Sequence, residues 1–118
     1  MNYNIVQFII SCLLLIIGTL FIKFPPSKIN PLYGFRTNLS MKNLDTWKEA
    51  NKKFPQYLFI GSLILIIQKI IVIIINPLNE AAFTILFIIS LLLLLVLSLI
   101  FTTIYLKTIF DSEGNRKK

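Results

Sequence analysis

The chain has 118 residues, of which 56% are hydrophobic and only 14% are charged, and its formal net charge is +7 at pH 7. This composition excludes an ordinary soluble domain, because such domains hold about 25% charged residues. Eleven of the twelve basic residues lie between and after long apolar runs and do not line one face of a folded domain, so we expect no nucleic-acid partner.

Three apolar segments are long enough to cross a bilayer as helices, at residues 5–24, 56–76 and 80–107. About 20 residues, each rising about 1.5 Å, span a hydrocarbon core of about 30 Å. A membrane β-barrel is disfavoured because it needs at least eight alternating strands. We predict an all-α membrane protein with three transmembrane helices in a single domain, residues 1–118.

The first segment is predicted to be a retained anchor and not a cleaved signal peptide. No basic residue precedes it, and Lys23-Phe24-Pro25-Pro26 follows it where a signal peptide would have small residues. The two prolines end the helix because they lack an N–H group. Ser11 and Gly18 lie about two turns apart, so one small-residue face is expected to meet a neighbouring helix.

A loop and a short helix are predicted at residues 25–54, between the first two spans. Proline, glycine and asparagine favour an ordered loop as far as Ser40, which is the expected N-cap of the helix. Leu44, Trp47 and Phe54 then recur at helical spacing with charged residues on other faces, which predicts an amphipathic helix at the membrane interface. Trp47 is expected among the lipid headgroups, and Pro55 is expected to separate this helix from the second span.

The distribution of basic residues predicts the orientation. Seven of the twelve Lys and Arg residues lie between the first two spans and four follow the third, whereas residues 1–4 and 76–80 hold none. Basic loops stay in the cytoplasm, which places the N-terminus outside and the C-terminus inside. The polar tail, residues 111–118, is expected to be mobile.

Gln68 and Lys69 interrupt the second span. Because a charge near the bilayer centre costs several kcal/mol, Lys69 needs an explanation. The simpler one is that its long side chain reaches the outer interface, about 10 Å away. The alternative is a functional lysine that faces the bundle interior and binds an anionic group, pairs with Glu80 or is held neutral by burial.

The residues needed for common catalytic sites are absent. The chain has no histidine and one cysteine, and its apolar segments hold no carboxylate cluster. A zinc site, a histidine-dependent triad and a paired-carboxylate site therefore cannot be assembled. We expect no enzymatic activity and no cofactor or metal.

The motif segment, residues 30–51, is dense in polar and aromatic side chains, and any specific function is expected there. Its candidate residues are Asn30, Tyr33, Gly34, Phe35, Arg36, Thr37, Ser40, Asn43, Trp47 and Asn51. The segment resembles the SdpI family of bacterial membrane proteins, whose pattern is Asn-x-x-x-Gly-aromatic-Arg-Thr followed by Ser, Asn, Trp and Ala-Asn. Phe35 departs from the tyrosine common in the family, and Phe54-Pro55 departs from a glycine that often begins the next span. By this resemblance the chain is expected to correspond to the C-terminal module alone of the larger members.

The resemblance implies immunity. The best-known member protects its producer cell from a secreted, membrane-active toxin and recruits a repressor to the membrane when toxin is present. This chain is accordingly expected in the bacterial cytoplasmic membrane, with membrane lipid, a toxin peptide, a cytoplasmic regulator and a second copy of itself as candidate partners. A small transporter or accessory subunit using Gln68 and Lys69, and a membrane-tethered signalling adaptor, stay open as alternatives.

Each motif residue has a structural and a recognition interpretation. Gly34 is expected to adopt a backbone conformation closed to other residues. Arg36 carries five donors, which suit loop carbonyls or a lipid phosphate. The Asn, Ser and Thr side chains suit helix caps and turns. The segment could therefore staple the helices together or recognise a partner.

Overall fold

Three helices make up the structure. The computed structural model describes residues 2–75 and 78–118, and its helices are α1 (Tyr3–Lys23), α2 (Leu44–Ile75) and α3 (Glu80–Ile109). Within those ranges the β structure is confined to a single bridge between Phe110 and Arg116. Each helix is long and apolar enough to cross a membrane. The prediction of an all-helical chain with three candidate spans is confirmed.

α2 packs along both α1 and α3 and is the central helix. The buried face of α1 consists of Gln7, Ser11 and Gly18, which confirms the predicted small-residue face. Between α2 and α3 a core forms from Leu58, Leu65, Phe87 and Leu94. Most other large apolar side chains of the three helices point outward, as expected for surfaces covered by lipid.

α2 runs through Pro55 as one helix of 32 residues, so the separate interfacial helix predicted before the second span is wrong. A proline inside a helix removes one hydrogen bond and costs about 3 kcal/mol. Pro55 is buried, and it shares a small cavity with Ile17 and Phe21 of α1. Packing against a neighbouring helix of this kind allows membrane helices to continue through proline.

The loop between α1 and α2 and the segment after α3 meet at one end of the bundle. α1 ends at Lys23, immediately before Phe24 and the two prolines, as predicted. A second buried cluster joins Phe35 of the loop to Ala50 of α2, to Leu106 of α3 and to Phe110, which follows α3. We call this assembly the motif end; it comprises residues 24–54 and 105–118.

Candidate functional site

The loop of the motif end is attached to α2 at Asn51. The side-chain oxygen of Asn51 accepts a hydrogen bond of 2.7 Å from the Phe35 backbone N–H, and its amide nitrogen donates to the Trp47 carbonyl at 3.0 Å. Gly34 precedes Phe35 with φ at +107°, and a Cβ there would lie 2.7 Å from the Asn51 side-chain oxygen. Positive φ is unfavourable for residues with a Cβ, so the predicted special role of Gly34 is confirmed.

Trp47 is buried and does not lie among the headgroups. Its exposed fraction is 0%, and its indole N–H donates to the Pro26 carbonyl at 2.7 Å. The sequence expectation that Trp47 anchors the protein at the interface is therefore wrong, because the loop folds back over α2 and covers the ring. Phe35 is also buried, and its ring lies 5.1 Å from that of Phe54.

Two reciprocal hydrogen-bond pairs shape the chain before α2. The Thr37 N–H donates to the Ser40 hydroxyl at 2.7 Å, and the Ser40 N–H donates to the Thr37 hydroxyl at 3.2 Å. Asn43 and Thr46 exchange bonds in the same way at 2.9 and 3.1 Å. Because Asn43 immediately precedes α2, it is the N-cap. Ser40, the predicted N-cap, instead closes the turn before it.

Asn30 and Tyr33 form the outer part of the loop. The Asn30 side-chain oxygen accepts from the Leu32 and Tyr33 N–H groups at 2.9 Å each, which is an Asx turn. The ring of Tyr33 lies 6.4 Å from that of Phe21 and is 52% exposed. Asn30 thus holds the turn, and Tyr33 presents an aromatic ring outside it.

The tail is folded against α2, contrary to the expectation of a mobile terminus. The Asp111 carboxylate accepts from two N–H groups of the following turn, at 2.9 Å each. Gly114, with φ at +83°, completes this turn, and its carbonyl accepts from the Asn43 side chain at 2.8 Å. The Lys117 N–H returns to the Ile109 carbonyl at 2.8 Å.

Arg116 fastens the tail to two carboxylates of α2. Its guanidinium contacts Asp45 at 2.7 Å and Glu49 at 3.1 Å. The hydrogen bond from Arg116 holds the pKa of Asp45 below its ordinary value, and the same bond, with that to Glu49, raises the pKa of Arg116. The tyrosine hydroxyl of Tyr105 donates to Glu49 at 3.0 Å. Sequence reasoning missed this network; its one visible signal was the spacing of Asp45 and Glu49 by one helical turn.

Arg36 differs from the other polar residues of the motif segment. Asn30, Thr37, Ser40, Asn43 and Asn51 all bond within the protein. Arg36 is exposed, and in the part of the chain that the structure describes its side chain makes no hydrogen bond or ion pair. The hydrogen bonds of the motif segment therefore hold the motif end together, whereas the Arg36 guanidinium is exposed and has no partner among the described residues.

Lys69 faces the bundle interior, so the interpretation that it reaches the outer interface is wrong. The side chain is 2% exposed and its Nζ donates to the Gln7 side-chain oxygen. Gln7 in turn donates to the Thr84 hydroxyl at 3.1 Å, which links all three helices. The Lys69 Nζ also lies 6.0 Å from the centre of the Phe87 ring. The acceptor of Lys69 is thus an amide oxygen and not the Glu80 carboxylate, which was one of the partners considered for an inward-facing lysine.

Gln68 points into a groove between α2 and α3. Its amide nitrogen donates to the Ser90 hydroxyl at 3.1 Å, and its oxygen is buried without a partner among the described residues. The groove has a volume of about 440 Å³ and is otherwise largely apolar. Gln68 and Lys69 are therefore adjacent in sequence but belong to different environments.

Comparisons with known proteins found a matching family and a similar protein. The model of the SdpI/YfhL protein family matches residues 27–105, which include the loop, the caps and most of the last two helices. The uncharacterized protein YfhL of Bacillus subtilis (strain 168) is 38% identical over 53 residues, which cover 45% of this chain and 48% of that protein. The aligned region thus spans about half the length of that curated relative. No solved structure matches the chain.

Proposed function

This chain belongs to the SdpI/YfhL protein family, and from that premise we propose that it protects its cell against a secreted, membrane-active toxin peptide. The observation that carries the proposal is the exposed Arg36 on a loop that is fixed on both sides. The Phe35 N–H attaches the loop to Asn51 before the arginine, and the turn closed by Ser40 holds it after.

A fixed arginine suits recognition of an anionic group on a peptide. Its planar guanidinium makes paired hydrogen bonds to a carboxylate. Because the backbone around Arg36 is already ordered, little additional ordering is needed on binding. The exposed ring of Tyr33 adds an aromatic surface in the same loop, and tyrosine and arginine are both enriched where proteins bind one another.

The motif end carries ten of the twelve basic side chains of the protein, which supports a cytoplasmic position for it and an outside position for the N-terminus. In that orientation Arg36 would meet a secreted toxin only after the peptide has entered the bilayer. Blocking an inserted peptide is then the form of protection that fits, and it leaves extracellular toxin untouched.

The test is survival of a toxin-sensitive bacterium that expresses the chain at matched membrane abundance. The challenge uses an SdpC-like toxin and any toxic peptide encoded beside the gene. Arg36→Ala should lose protection, Arg36→Lys should keep part of it, and Lys28→Ala, which removes another exposed cation of the same loop, should keep all of it. Full protection by Arg36→Ala would refute the proposed role of the arginine.

The groove beside Gln68 favours a second candidate, an accessory subunit or small transporter that assembles with another membrane helix. Grooves with small and polar residues are typical helix-packing sites in membranes, and Gly61, Ser90 and Ser98 line this one. Solute flux in vesicles containing the purified protein would support transport.

A signalling adaptor would instead bind a cytoplasmic regulator through the basic surface, and crosslinks from Lys48 to lipid alone would oppose it.

A further inference from the structure

A basic cleft lies at the motif end, between the turn that follows Arg36 and the junction of α3 with the tail. Its volume is about 540 Å³. Three lysines, Lys42, Lys107 and Lys117, line it together with the apolar side chains of Leu39 and Phe110. Phe110 is 1% exposed, so it forms a fixed floor, while the lysines are exposed at the rim.

Two of these lysines are free to bind a ligand. Lys117 donates its ammonium to the Lys107 carbonyl at 2.7 Å. The ammonium groups of Lys42 and Lys107 make no hydrogen bond or ion pair with residues of the described ranges. Asp111 is the one carboxylate in the cleft, and its Oδ1 is occupied by N–H groups of its own turn. The cleft therefore has a net positive charge and unused donors.

We propose that this cleft binds the phosphate of an anionic phospholipid headgroup. Lys107 lies in the last turn of α3, at the depth where a spanning helix leaves the hydrocarbon for the headgroup region. Lysine is a common point-charge partner of phosphate, and basic pockets at the membrane ends of helices bind anionic headgroups. The apolar floor formed by Leu39 and Phe110 suits the glycerol and first methylene groups next to that phosphate.

This inference does not depend on the proposed immunity function, because it uses neither Arg36 nor a toxin. A soluble acidic peptide shares the negative charge, but it would have to reach a cleft at headgroup depth. Free phosphate shares the chemistry of the headgroup without its apolar part. The experiment below distinguishes the acidic peptide and the free phosphate from a lipid ligand.

The test uses the full chain in a neutral detergent, titrated with short-chain phosphatidylglycerol or phosphatidylcholine, with bound lipid counted by native mass spectrometry. Phosphatidylglycerol should bind first and more tightly. Lys42→Gln combined with Lys107→Gln should weaken its binding about thirtyfold, which corresponds to about 2 kcal/mol, at about 1 kcal/mol for each lysine near anionic lipid. The matched control, Lys48→Gln combined with Lys52→Gln, removes two exposed lysines outside the cleft and should leave binding unchanged.

Equal loss in the two double variants would overturn the proposal, because it would show a diffuse surface charge in place of a site. Competition by inorganic phosphate or glycerol phosphate at the same concentration as the lipid would overturn the lipid as the source. Tight binding of a poly-glutamate peptide that is lost only in the cleft variant, without preference between the two lipids, would assign the cleft to an acidic protein partner. Unchanged thermal stability of both variants shows that the losses are not unfolding.

Discussion

The hydrogen bond between Lys69 and Gln7 should contribute measurably to stability, and a double-mutant cycle can isolate that contribution. The cycle consists of Gln7→Leu, Lys69→Met and the two combined. Met keeps the length of the lysine stem and removes its donor, and Leu removes the acceptor. Gln7 also bonds to Thr84, but that loss occurs with or without Lys69 and therefore cancels in the coupling energy.

The expected coupling is about 1–2 kcal/mol. Hydrogen bonds between membrane helices average about 0.6 kcal/mol and reach about 1.7 kcal/mol. Bonds to charged groups contribute about 1.5–3 kcal/mol in soluble proteins. Lys69 is 2% exposed, so water cannot replace the lost partner, and the bond to Gln7 belongs near the upper end of the membrane range.

Reversible unfolding in mixed micelles provides the four free energies of unfolding. Each single variant should destabilise the protein, and the double variant should be less destabilised than the sum of the two. The control cycle pairs Gln7→Leu with Lys52→Met, an exposed lysine at the motif end, and its effects should add. Additive effects of Gln7 and Lys69 within about 0.5 kcal/mol would refute the reasoning.

Two further predictions concern the motif end. Gly34→Ala should lower the free energy of unfolding by about 2 kcal/mol, because positive φ alone costs about 1–2 kcal/mol and the new Cβ would displace the Asn51 side-chain oxygen 2.7 Å away. The control, Ser27→Ala at an exposed position, should leave the unfolding curve unchanged. A Gly34→Ala variant as stable as the original protein would contradict the loop geometry. Because Arg116 lowers the folded-state pKa of Asp45 below 3.8, their contact stabilises the tail above that pH and is lost as the pH falls through the lowered pKa. Hydrogen-exchange protection of the Lys117 N–H should therefore fall in acid and should already be low in Arg116→Gln; protection that does not change with pH would exclude the link.

Local signals in the sequence predicted much of the fold. Long apolar runs located the three helices, and two consecutive prolines located the end of α1 at Lys23. Gly34 was predicted correctly because positive φ is a local property that glycine alone adopts easily. The buried small-residue face of α1 followed from helical spacing. Each of these features depends on residues that are near one another in the chain.

The expectations that proved wrong concern residues whose environment comes from distant segments. Pro55 does not end a helix because α1 packs beside it. Trp47 is covered by the loop between α1 and α2, and its indole N–H donates to the Pro26 carbonyl of that loop. Lys69 stays inside because Gln7, from another helix, supplies its acceptor. The tail is ordered by Arg116. Spacing within one segment does not identify a partner that comes from another segment.

The continuity of α2 has a mechanical consequence. At about 1.5 Å per residue its 32 residues form a rod of about 48 Å, and its weakest point is Pro55, which leaves the Asn51 carbonyl without its usual helical donor. The side chain of Asn51 also carries the loop through the Phe35 N–H. A bend of α2 at Pro55 would therefore tilt the loop together with the first turns of α2. The same bend at Pro55 would displace Arg36 relative to the part of α2 that lies within the bilayer.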